Sequence, residues 1–401
     1  MSEPLDVIEG RYVLHGELAS GGMATVHLGR QLGAGGFART VAIKRLHARH
    51  AKDPAVVGRF LDEARGVARG RHPNVVQTLD VVATDKELFL VMDYVHGESL
   101  LALMRLSEKA RAPVPVAIAK AIIVAVLAGL HAAHEATSET GEPLGVVHRD
   151  VSPHNVLVGA DGVPRVLDFG IAKAQERVHS TQEGDIKGKL SYMTVEQIQG
   201  RPVDRRTDVF AAAIVLWELL TGKRLFDGEN QAATMHAAMF REIAPPSRLR
   251  ADVDAGLDAI VMRGLERDPA RRFATAAEMA QALERTGGVA SASEIAAWVR
   301  SLAGGLLAQR AATLAAIESR TPSGRLAQSD IERAISSRQI ASLAPTSMPP
   351  IAIAPGSSPG TGAGPTAPAL TAPPPPAVVE SRSGAPVALA VAAVAVAVLA
   401  F

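Results

Sequence analysis

A short polar stretch lies between apolar ends at residues 146–158, VVHRDVSPHNVLV. Its polar side chains are His148, Arg149, Asp150, Ser152, His154 and Asn155. Valine and leucine at the ends favour β structure, so we expect a polar turn between two strands. An acid at 150 and an amide at 155 suit a site that holds a hydroxyl and a metal-bound phosphate together.

A second acid follows at Asp168, directly after the apolar run of RVLDFGIAK. One carboxylate can orient or deprotonate a nucleophile while the other, with Asn155, binds Mg²⁺ through oxygen ligands. Each motif alone could arise by chance. Their order along the chain favours a phosphoryl-transfer site.

Upstream elements could position phosphate groups. YVLHGELASGGMATVHLGR predicts a glycine-bearing hairpin, which can bring backbone N–H groups to phosphate oxygens or be only a structural turn. Lys44, in the strand TVAIKRL, would either extend to the surface or pair with an anion. Glu63, on the predicted amphipathic helix VVGRFLDEARGVARG, is the natural partner of Lys44, and a surface arginine is the alternative partner.

Composition limits the classes of protein that fit. At 401 residues the chain exceeds what one core usually holds, so we expect one large two-lobed domain with tails. With 42 basic and 41 acidic residues, net charge gives no reason to expect a nucleic-acid partner. The absence of cysteine excludes disulfides and thiolate metal sites, and no secretory signal is expected, which fits a cytoplasmic N-terminal part.

Three segments follow the expected domain. Residues 291–342 are Ala-rich with helical spacing, and Gly304 and Gly305 predict a break between two helices. Residues 344–385 are rich in proline and alanine and predict a disordered linker. Residues 386–401 are apolar but barely long enough to span a membrane, so they are a membrane anchor, a disordered apolar end or part of a longer span. The long linker and Arg382 favour the anchor.

Taken together, the motifs resemble those of the eukaryotic-like Ser/Thr protein kinases of bacteria, over about residues 12–285. The matching segments, in order, are LASGGMATV, VAIK, DEA, FLVMDYV, HRDVSPHN, DFG, GKLSYMTVEQ, DRRTDVFAAAIVLWELLTG and DPARRF. The resemblance implies an α+β, two-lobed protein-kinase fold with ATP in the cleft. The β-rich N-lobe, with one regulatory helix, would span about 12–95 and the mostly helical C-lobe about 96–285.

The resemblance also implies roles for individual residues. Asp150 would accept the proton of the substrate hydroxyl, and Lys44, fixed by Glu63, would hold the α- and β-phosphates. Asn155 and Asp168 would bind Mg²⁺, with Mn²⁺ as a second candidate. The expected nucleotide-contacting residues are Ala19, Ser20, Gly21, Gly22, Met23, Ala24, Val26, Ala42, Lys44, Glu63, Met92, Asp93, Val95 and Leu157.

Within this set, Met92 would flank the adenine, and the backbone of Asp93 and Val95 would hydrogen-bond its edge. Asp208 would hold the catalytic loop through backbone N–H groups. Glu196 and Arg272 would form a buried ion pair at the end of the activation segment.

Some positions depart from the family pattern. Ala19 and Ala24 replace two phosphate-loop glycines, and Val195 replaces a proline. Ser152 stands where Ser/Thr-specific members usually carry a lysine, whereas Lys189 stands where they usually carry a threonine. We hypothesise that Lys189 supplies the cation missing at Ser152, and count it as a catalytic candidate; the alternative is a solvent-facing Lys189.

The expected function is an ATP-dependent protein Ser/Thr kinase that autophosphorylates at Ser180, Thr181 or, less favourably, Ser191. Its expected partners are ATP, protein substrates and a second copy for autophosphorylation in trans. A pseudokinase scaffold and a small-molecule kinase are the alternatives. The acids and Lys44 argue against the first, and the segment GKLSYMTVEQ argues against the second.

Overall fold

The computed structural model describes residues 6–22, 24–33, 37–47, 58, 71–84, 87–167 and 190–320. Several residues of the sequence predictions lie outside these ranges: Met23, Glu63, Asp168, Ser180, Thr181 and Lys189. The predicted helix around Glu63, the linker at 344–385 and the apolar segment at 386–401 also lie outside them.

The N-terminal lobe is built on an antiparallel six-stranded sheet of order β1-β2-β3-β4-β6-β5. The strands are β1 (Asp6–Ile8), β2 (Tyr12–Ser20), β3 (Ala24–Leu32), β4 (Ala38–Leu46), β5 (Thr78–Ala83) and β6 (Leu88–Asp93). The predicted hairpin and third strand are therefore confirmed as β2, β3 and β4. Strand β1 is an addition, because it pairs with β2 ahead of the first predicted strand.

Both faces of this sheet are apolar. Along β6, Phe89 and Val91 belong to one buried cluster and Leu90 and Met92 to another, as expected when successive side chains point to opposite faces. The second cluster also contains Leu157 from the C-terminal lobe. This face of the sheet therefore lies toward the other lobe and lines the cleft.

The C-terminal lobe is mainly helical, with a three-stranded sheet on its cleft side. The sheet has the order β7-β8-β9, with β7 at Gly97–Ser99, β8 at Val156–Gly159 and β9 at Pro164–Val166. The helices are α1 (Leu100–Lys109), α2 (Val116–His134), α3 (Val195–Ile198), α4 (Arg206–Thr221), α5 (Gln231–Phe240), α6 (Ala255–Gly264), α7 (Ala276–Arg285) and α8 (Ala292–Arg320). The observed lobes match the predicted two-lobed α+β fold.

Helix α4 forms the centre of this lobe. Every residue from Thr207 to Leu220 is buried, including Asp208 and Glu218. Helix α2 is long and apolar enough to span a membrane, but 56% of its most apolar part is buried in the lobe. Its apolar character is thus accounted for by packing in the core of a folded domain.

Two sequence predictions about local structure were wrong. Val146 and Val147 are buried but belong to no strand, and β8 pairs instead with β7 and β9. Helix α8 runs without interruption through Gly304 and Gly305. A glycine in a helix costs only about 1 kcal/mol relative to alanine, and packing of Ala303 and Leu307 against the C-lobe core outweighs that cost.

Candidate active site

Asp150 and Asn155 are joined directly. The Asn155 side-chain Nδ2 donates to the Asp150 backbone carbonyl at 2.7 Å and to its carboxylate Oδ2 at 3.1 Å. Asn155 lies in a single 3₁₀ turn, Pro153–Asn155, and its backbone N–H donates to the Ser152 carbonyl at 3.0 Å. Because the amide nitrogen faces Asp150, the amide oxygen of Asn155 is the atom left to bind a cation.

A buried carboxylate holds the residues before Asp150. Asp208 Oδ2 accepts from the His148 backbone N–H and Oδ1 from that of Arg149, each at 2.8 Å. The same Oδ2 lies 2.7 Å from Nε2 of the buried His134. The predicted role of Asp208 is confirmed, because its side chain accepts the backbone N–H groups of both His148 and Arg149.

The backbone at Arg149 is strained. Its φ is +67°, in the left-handed region that residues other than glycine rarely adopt. The Arg149 carbonyl accepts from Gln197 Nε2 at 2.9 Å, and Gln197 in turn forms a capping box with Thr194 at the start of α3. Asp208 and Gln197 thus hold from two sides a conformation that costs of order 1–3 kcal/mol.

His148 links the catalytic loop to Leu167, the residue between β9 and Asp168. Its side chain is fully buried, its Nδ1 accepts the backbone N–H of Asp150 at 3.2 Å, and its Nε2 lies 2.8 Å from the Leu167 carbonyl. The Leu167 backbone N–H donates to the Asn155 carbonyl at 2.8 Å. Asp168 lies outside the described residues, but its preceding residue is therefore tied to both Asp150 and Asn155.

The predicted adenine pocket is assembled from both lobes. Ala42, Met92, Val95 and Leu157 belong to one apolar cluster on the cleft face of the sheet. The backbone N–H of Asp93 donates to the Gln77 carbonyl at 2.9 Å, so this N–H is engaged within the protein. Asp93 and Val95 were both predicted to contact adenine through their backbone. Of their two N–H groups, that of Val95 is therefore the one that would donate a hydrogen bond to adenine.

Lys44 lies near the centre of the N-lobe sheet. It pairs in register with Val26 on β3 and with Leu90 on β6. Since side chains alternate along β4, Lys44 shares the cleft face with Ala42. Its predicted partner Glu63 lies outside the described residues.

The predicted phosphate loop is a tight hairpin above this face. Ala19 pairs with Val26 and Ser20 with Thr25, and the Gly21 N–H donates to the Ala24 carbonyl at 3.0 Å. The structure therefore places Ala19, Ser20, Gly21, Gly22 and Ala24 together at one turn. Ala19, Ser20 and Gly21 are exposed there, so the turn is open to a ligand.

The predicted pair at the end of the activation segment is confirmed. Arg272 donates to the two oxygens of Glu196 at 2.7 and 3.0 Å, with both side chains almost fully buried. Thr207 Oγ1 also donates to Glu196 at 3.1 Å. Burial raises the pKa of Glu196, but the hydrogen bonds and charge of Arg272 outweigh burial and lower it overall.

A second buried network was not predicted. Tyr192 donates its hydroxyl to Glu218 Oε2 at 2.7 Å, and Arg224 contacts both side chains. Burial raises the pKa of Glu218 and, together with the Glu218 charge, that of Tyr192. The sequence signal was Glu218 itself, an acid within the apolar run AAAIVLWELL. This network fixes the segment between Lys189 and α3.

Ser152 and Ser191 have buried side chains. Ser152 is 2% exposed within the catalytic loop, and Ser191 is 5% exposed next to Tyr192. A buried hydroxyl is inaccessible to another enzyme molecule, which disfavours Ser191 as a phosphorylation site in this conformation. The other two predicted phosphorylation sites, Ser180 and Thr181, lie outside the described residues.

Comparison with known proteins places this geometry in a family. The sequence of residues 12–284 matches the protein kinase domain family. The chain is 42% identical over 275 residues to the tyrosine-protein kinase MasK of Myxococcus xanthus, covering 69% of this chain and 43% of MasK. It is 33% identical over 284 residues to the serine/threonine-protein kinase PknL of Mycobacterium bovis, covering 70% of this chain and 67% of PknL.

A solved structure agrees with the fold. The PknI kinase domain of Mycobacterium tuberculosis superposes with a TM-score of 0.53 at 28% sequence identity, covering 70% of this chain and 98% of that domain. The chain spans between 38% and 43% of the length of the first three curated relatives that it matches. On the family match and these relatives, the chain belongs to the protein kinase family, among the eukaryotic-like Ser/Thr protein kinases of bacteria.

Proposed function

We propose that this protein transfers the γ-phosphoryl group of ATP to serine or threonine hydroxyls of proteins. The observation that carries the proposal is the hydrogen bond between the side chains of Asn155 and Asp150. The loop that contains them is held by the buried Asp208. A proton acceptor and a cation ligand are thereby held side by side. Phosphoryl transfer needs both groups at fixed positions, because its catalysis consists mostly of positioning and charge stabilisation.

In the proposed reaction the substrate hydroxyl oxygen bonds to the γ-phosphorus while the bond to the β–γ bridging oxygen breaks and ADP leaves. Asp150 orients the hydroxyl and accepts its proton. Lys44 binds the α- and β-phosphates, and the turn at Ser20, Gly21 and Gly22 covers the phosphate end of the nucleotide. The apolar cluster containing Ala42, Met92 and Leu157 binds the adenine and excludes water from it.

The proposed metal site consists of the Asn155 amide oxygen and Asp168. Family membership implies ATP and a divalent cation, and we propose Mg²⁺, with Mn²⁺ able to replace it, because amide and carboxylate oxygens suit hard cations. When bound, the cation would neutralise charge on the phosphates. The contact of Asn155 Nδ2 with Asp150 supports this assignment, because it orients the amide oxygen away from the carboxylate.

Lys189 is the proposed source of the remaining positive charge. Ser152 is buried in the catalytic loop and carries no charge, so the loop lacks the cation that Ser/Thr-specific relatives usually place there. Lys189 lies outside the described residues, but the next residue, Leu190, is buried. A cation at the γ-phosphate would stabilise the charge that develops during transfer.

Tyrosine is a second candidate acceptor. Two observations favour it: Ser152 replaces the lysine typical of Ser/Thr-specific members, and MasK, at 42% identity, is named a tyrosine-protein kinase. A tyrosine hydroxyl lies farther from its backbone than that of serine, so the acceptor would have to sit farther from Asp150. Analysis of the phosphoamino acids formed decides between the two candidates.

The deciding experiment is transfer from γ-labelled ATP to a generic protein substrate and to the chain itself. Asp150→Asn is the control, because it keeps the shape of the loop but removes the proton acceptor. We expect labelled phosphoserine or phosphothreonine from the unmodified chain only. Label on tyrosine alone would show that tyrosine is the acceptor. Transfer no greater than that of Asp150→Asn would show that the protein is a nucleotide-binding scaffold without kinase activity.

Attachment and assembly are further proposals. We propose that residues 386–401 tether a cytoplasmic kinase domain to the inner membrane and that two copies phosphorylate each other in trans. The uninterrupted apolar sequence of that segment and the linker before it support tethering. The full chain should pellet with vesicles, and deletion of residues 386–401 should abolish this pelleting. Autophosphorylation in trans should have a rate constant that rises with protein concentration, and a rate constant independent of concentration would contradict it.

A further inference from the structure

Helix α8 begins after the end of the family match at residue 284 and contacts three separate parts of the kinase domain. Its first half contacts the C-lobe core, its middle contacts β7, and its last turns contact the N-lobe sheet. β6 of the N-lobe ends at Asp93 and β7 of the C-lobe begins at Gly97, so residues 94–96 connect the lobes. The helix therefore runs alongside that connection.

The first half of α8 is anchored firmly in the C-lobe. Ile295, Val299, Ala303 and Leu307 recur at four-residue intervals and are all at most 4% exposed. The start of the helix lies against the turn between β8 and β9. There an added Cβ on Gly162 would stand 1.8 Å from the Ala292 carbonyl oxygen, so only glycine fits.

The middle of the helix is tied to the C-lobe side of the connection. Arg310 Nη1 donates to the Gly97 carbonyl at 2.8 Å, and its Nη2 lies 2.9 Å from Glu98 Oε2. The Glu98 side chain is 12% exposed. Glu98 pairs with Val158 on β8, next to Leu157 of the proposed adenine pocket. Arg310 therefore holds the strand that borders the nucleotide cleft.

The last turns of α8 reach the N-lobe. Glu318 accepts from Arg30 Nη1 at 2.9 Å, and Arg30 on β3 also donates to Thr40 at 2.7 Å and to the Ala38 carbonyl at 3.2 Å. The Arg30 side chain is 9% exposed. Arg310 and Glu318 are separated along the helix by about 12 Å, at about 1.5 Å per residue.

We propose that α8 is a strap that sets the angle between the two lobes, with Arg310 and Glu318 as positioning residues for ATP binding. A helix with one end fixed in the C-lobe and an ion pair to the N-lobe at the other restricts rotation about residues 94–96. The inference rests on the proposed nucleotide site, whose cleft the two lobes form.

The lobe angle can be measured without any catalytic readout. The chain has no cysteine, so Phe37→Cys and Phe240→Cys, at side chains 79% and 65% exposed, introduce two unique spin-label sites, one in each lobe. Distances between the labels are compared for this labelled parent, Arg310→Ala, Glu318→Lys and Arg300→Ala. Arg300 is an exposed arginine on the same helix and is the matched control.

We expect a broader distance distribution and an ATP Kd raised on the order of 3–10-fold in Arg310→Ala and Glu318→Lys, with Arg300→Ala like the parent. The expected kinetic change lies in KM for ATP rather than kcat, with thermal unfolding near that of Arg300→Ala. Unchanged distances and Kd in both variants would overturn the strap even if unfolding shifts. Absence of ATP binding by the unsubstituted chain would instead overturn the proposed function, and the distance measurement still decides whether α8 sets the lobe angle.

Discussion

The side chain of Asn155 donates to both the carbonyl and the carboxylate of Asp150, at 2.7 and 3.1 Å. One residue therefore orients the proposed proton acceptor and presents the proposed metal ligand. Asn155→Ala should lower kcat by at least about 100-fold, because both the orientation and the ligand are lost. Asn230→Ala, which removes only the N-cap of α5, should cost about 1 kcal/mol of stability and leave kcat unchanged. Equal kcat values for the two variants would refute the assignment.

Asp208 makes the position of the catalytic loop depend on a single buried carboxylate. In Asp208→Asn one amide oxygen replaces two acceptors, and an NH₂ group faces a backbone N–H of His148 or Arg149. We expect a loss of about 2–4 kcal/mol in the free energy of unfolding and a marked loss of kcat. Chemical denaturation measures the first quantity. Asp254→Asn is the control, because asparagine caps α6 about as well as aspartate and should be near neutral.

Removal of one partner from the buried Glu196–Arg272 ion pair should destabilise the fold strongly at neutral pH. Arg272→Met leaves Glu196 buried without its partner and should cost about 3–5 kcal/mol. The pKa of Glu196 is lowered in the folded state, so its contribution is present above the unfolded value near 4.5 and is lost as pH falls through the folded value. The stability difference between the unsubstituted chain and Glu196→Gln should therefore shrink below pH 4.5. A difference independent of pH would contradict this.

Two buried histidines should make the N-lobe sensitive to mild acid. Burial and the Arg30 charge lower the pKa of His15, and burial with the Arg45 charge lowers that of His27. Within the described residues, neither ring nitrogen of His15 has a hydrogen-bond partner. The unfolded chain therefore binds protons more readily, and stability should fall as pH drops below about 6.5 and level off below the folded pKa values.

His15→Leu should reduce this loss, measured as the slope of unfolding free energy against pH between 7 and 5. His236→Leu, at an exposed position, is the control and should keep the slope of the unsubstituted chain. An unchanged slope in His15→Leu would show that His15 does not bind the proton whose uptake destabilises the fold.

The location of the missing cation can be tested at two positions. Lys189→Ala should lower kcat by about 10-fold or more if this lysine stabilises the transferred phosphoryl group, and Ser152→Lys in that background should restore part of it. Lys223→Ala, at an exposed position after α4, is the control for loss of a positive charge. Full kcat in Lys189→Ala would sink the swap hypothesis.

The N-lobe hairpin and the polar turn at 150–155 could be predicted from the sequence because their signals are local. Alternating apolar residues and the Ser20-Gly21-Gly22 turn predicted β2, β3 and β4, since strand period and turn chemistry depend on neighbouring residues. The residue types and close spacing of Asp150 and Asn155 predicted that both belong to one site, and the structure adds the hydrogen bond between their side chains.

Tertiary contacts decided what local signals could not. Val146 and Val147 have strand propensity, yet they form no strand, because β7 and β9 pair with β8 while Asp208 holds the backbone that follows the valines. Gly304 and Gly305 weaken a helix, yet α8 continues, because the C-lobe core packs against its buried face.

Local signals did not identify the partners in the long-range contacts. Tyr192 meets Glu218 in the core, and Arg30 meets Glu318 across 288 positions of the chain. The sequence by itself determined the family, the strands of the N-lobe hairpin and the residue types of the catalytic loop. The tertiary structure alone decided how that loop is held and where α8 lies, because the contacts responsible join residues that the chain brings together only on folding.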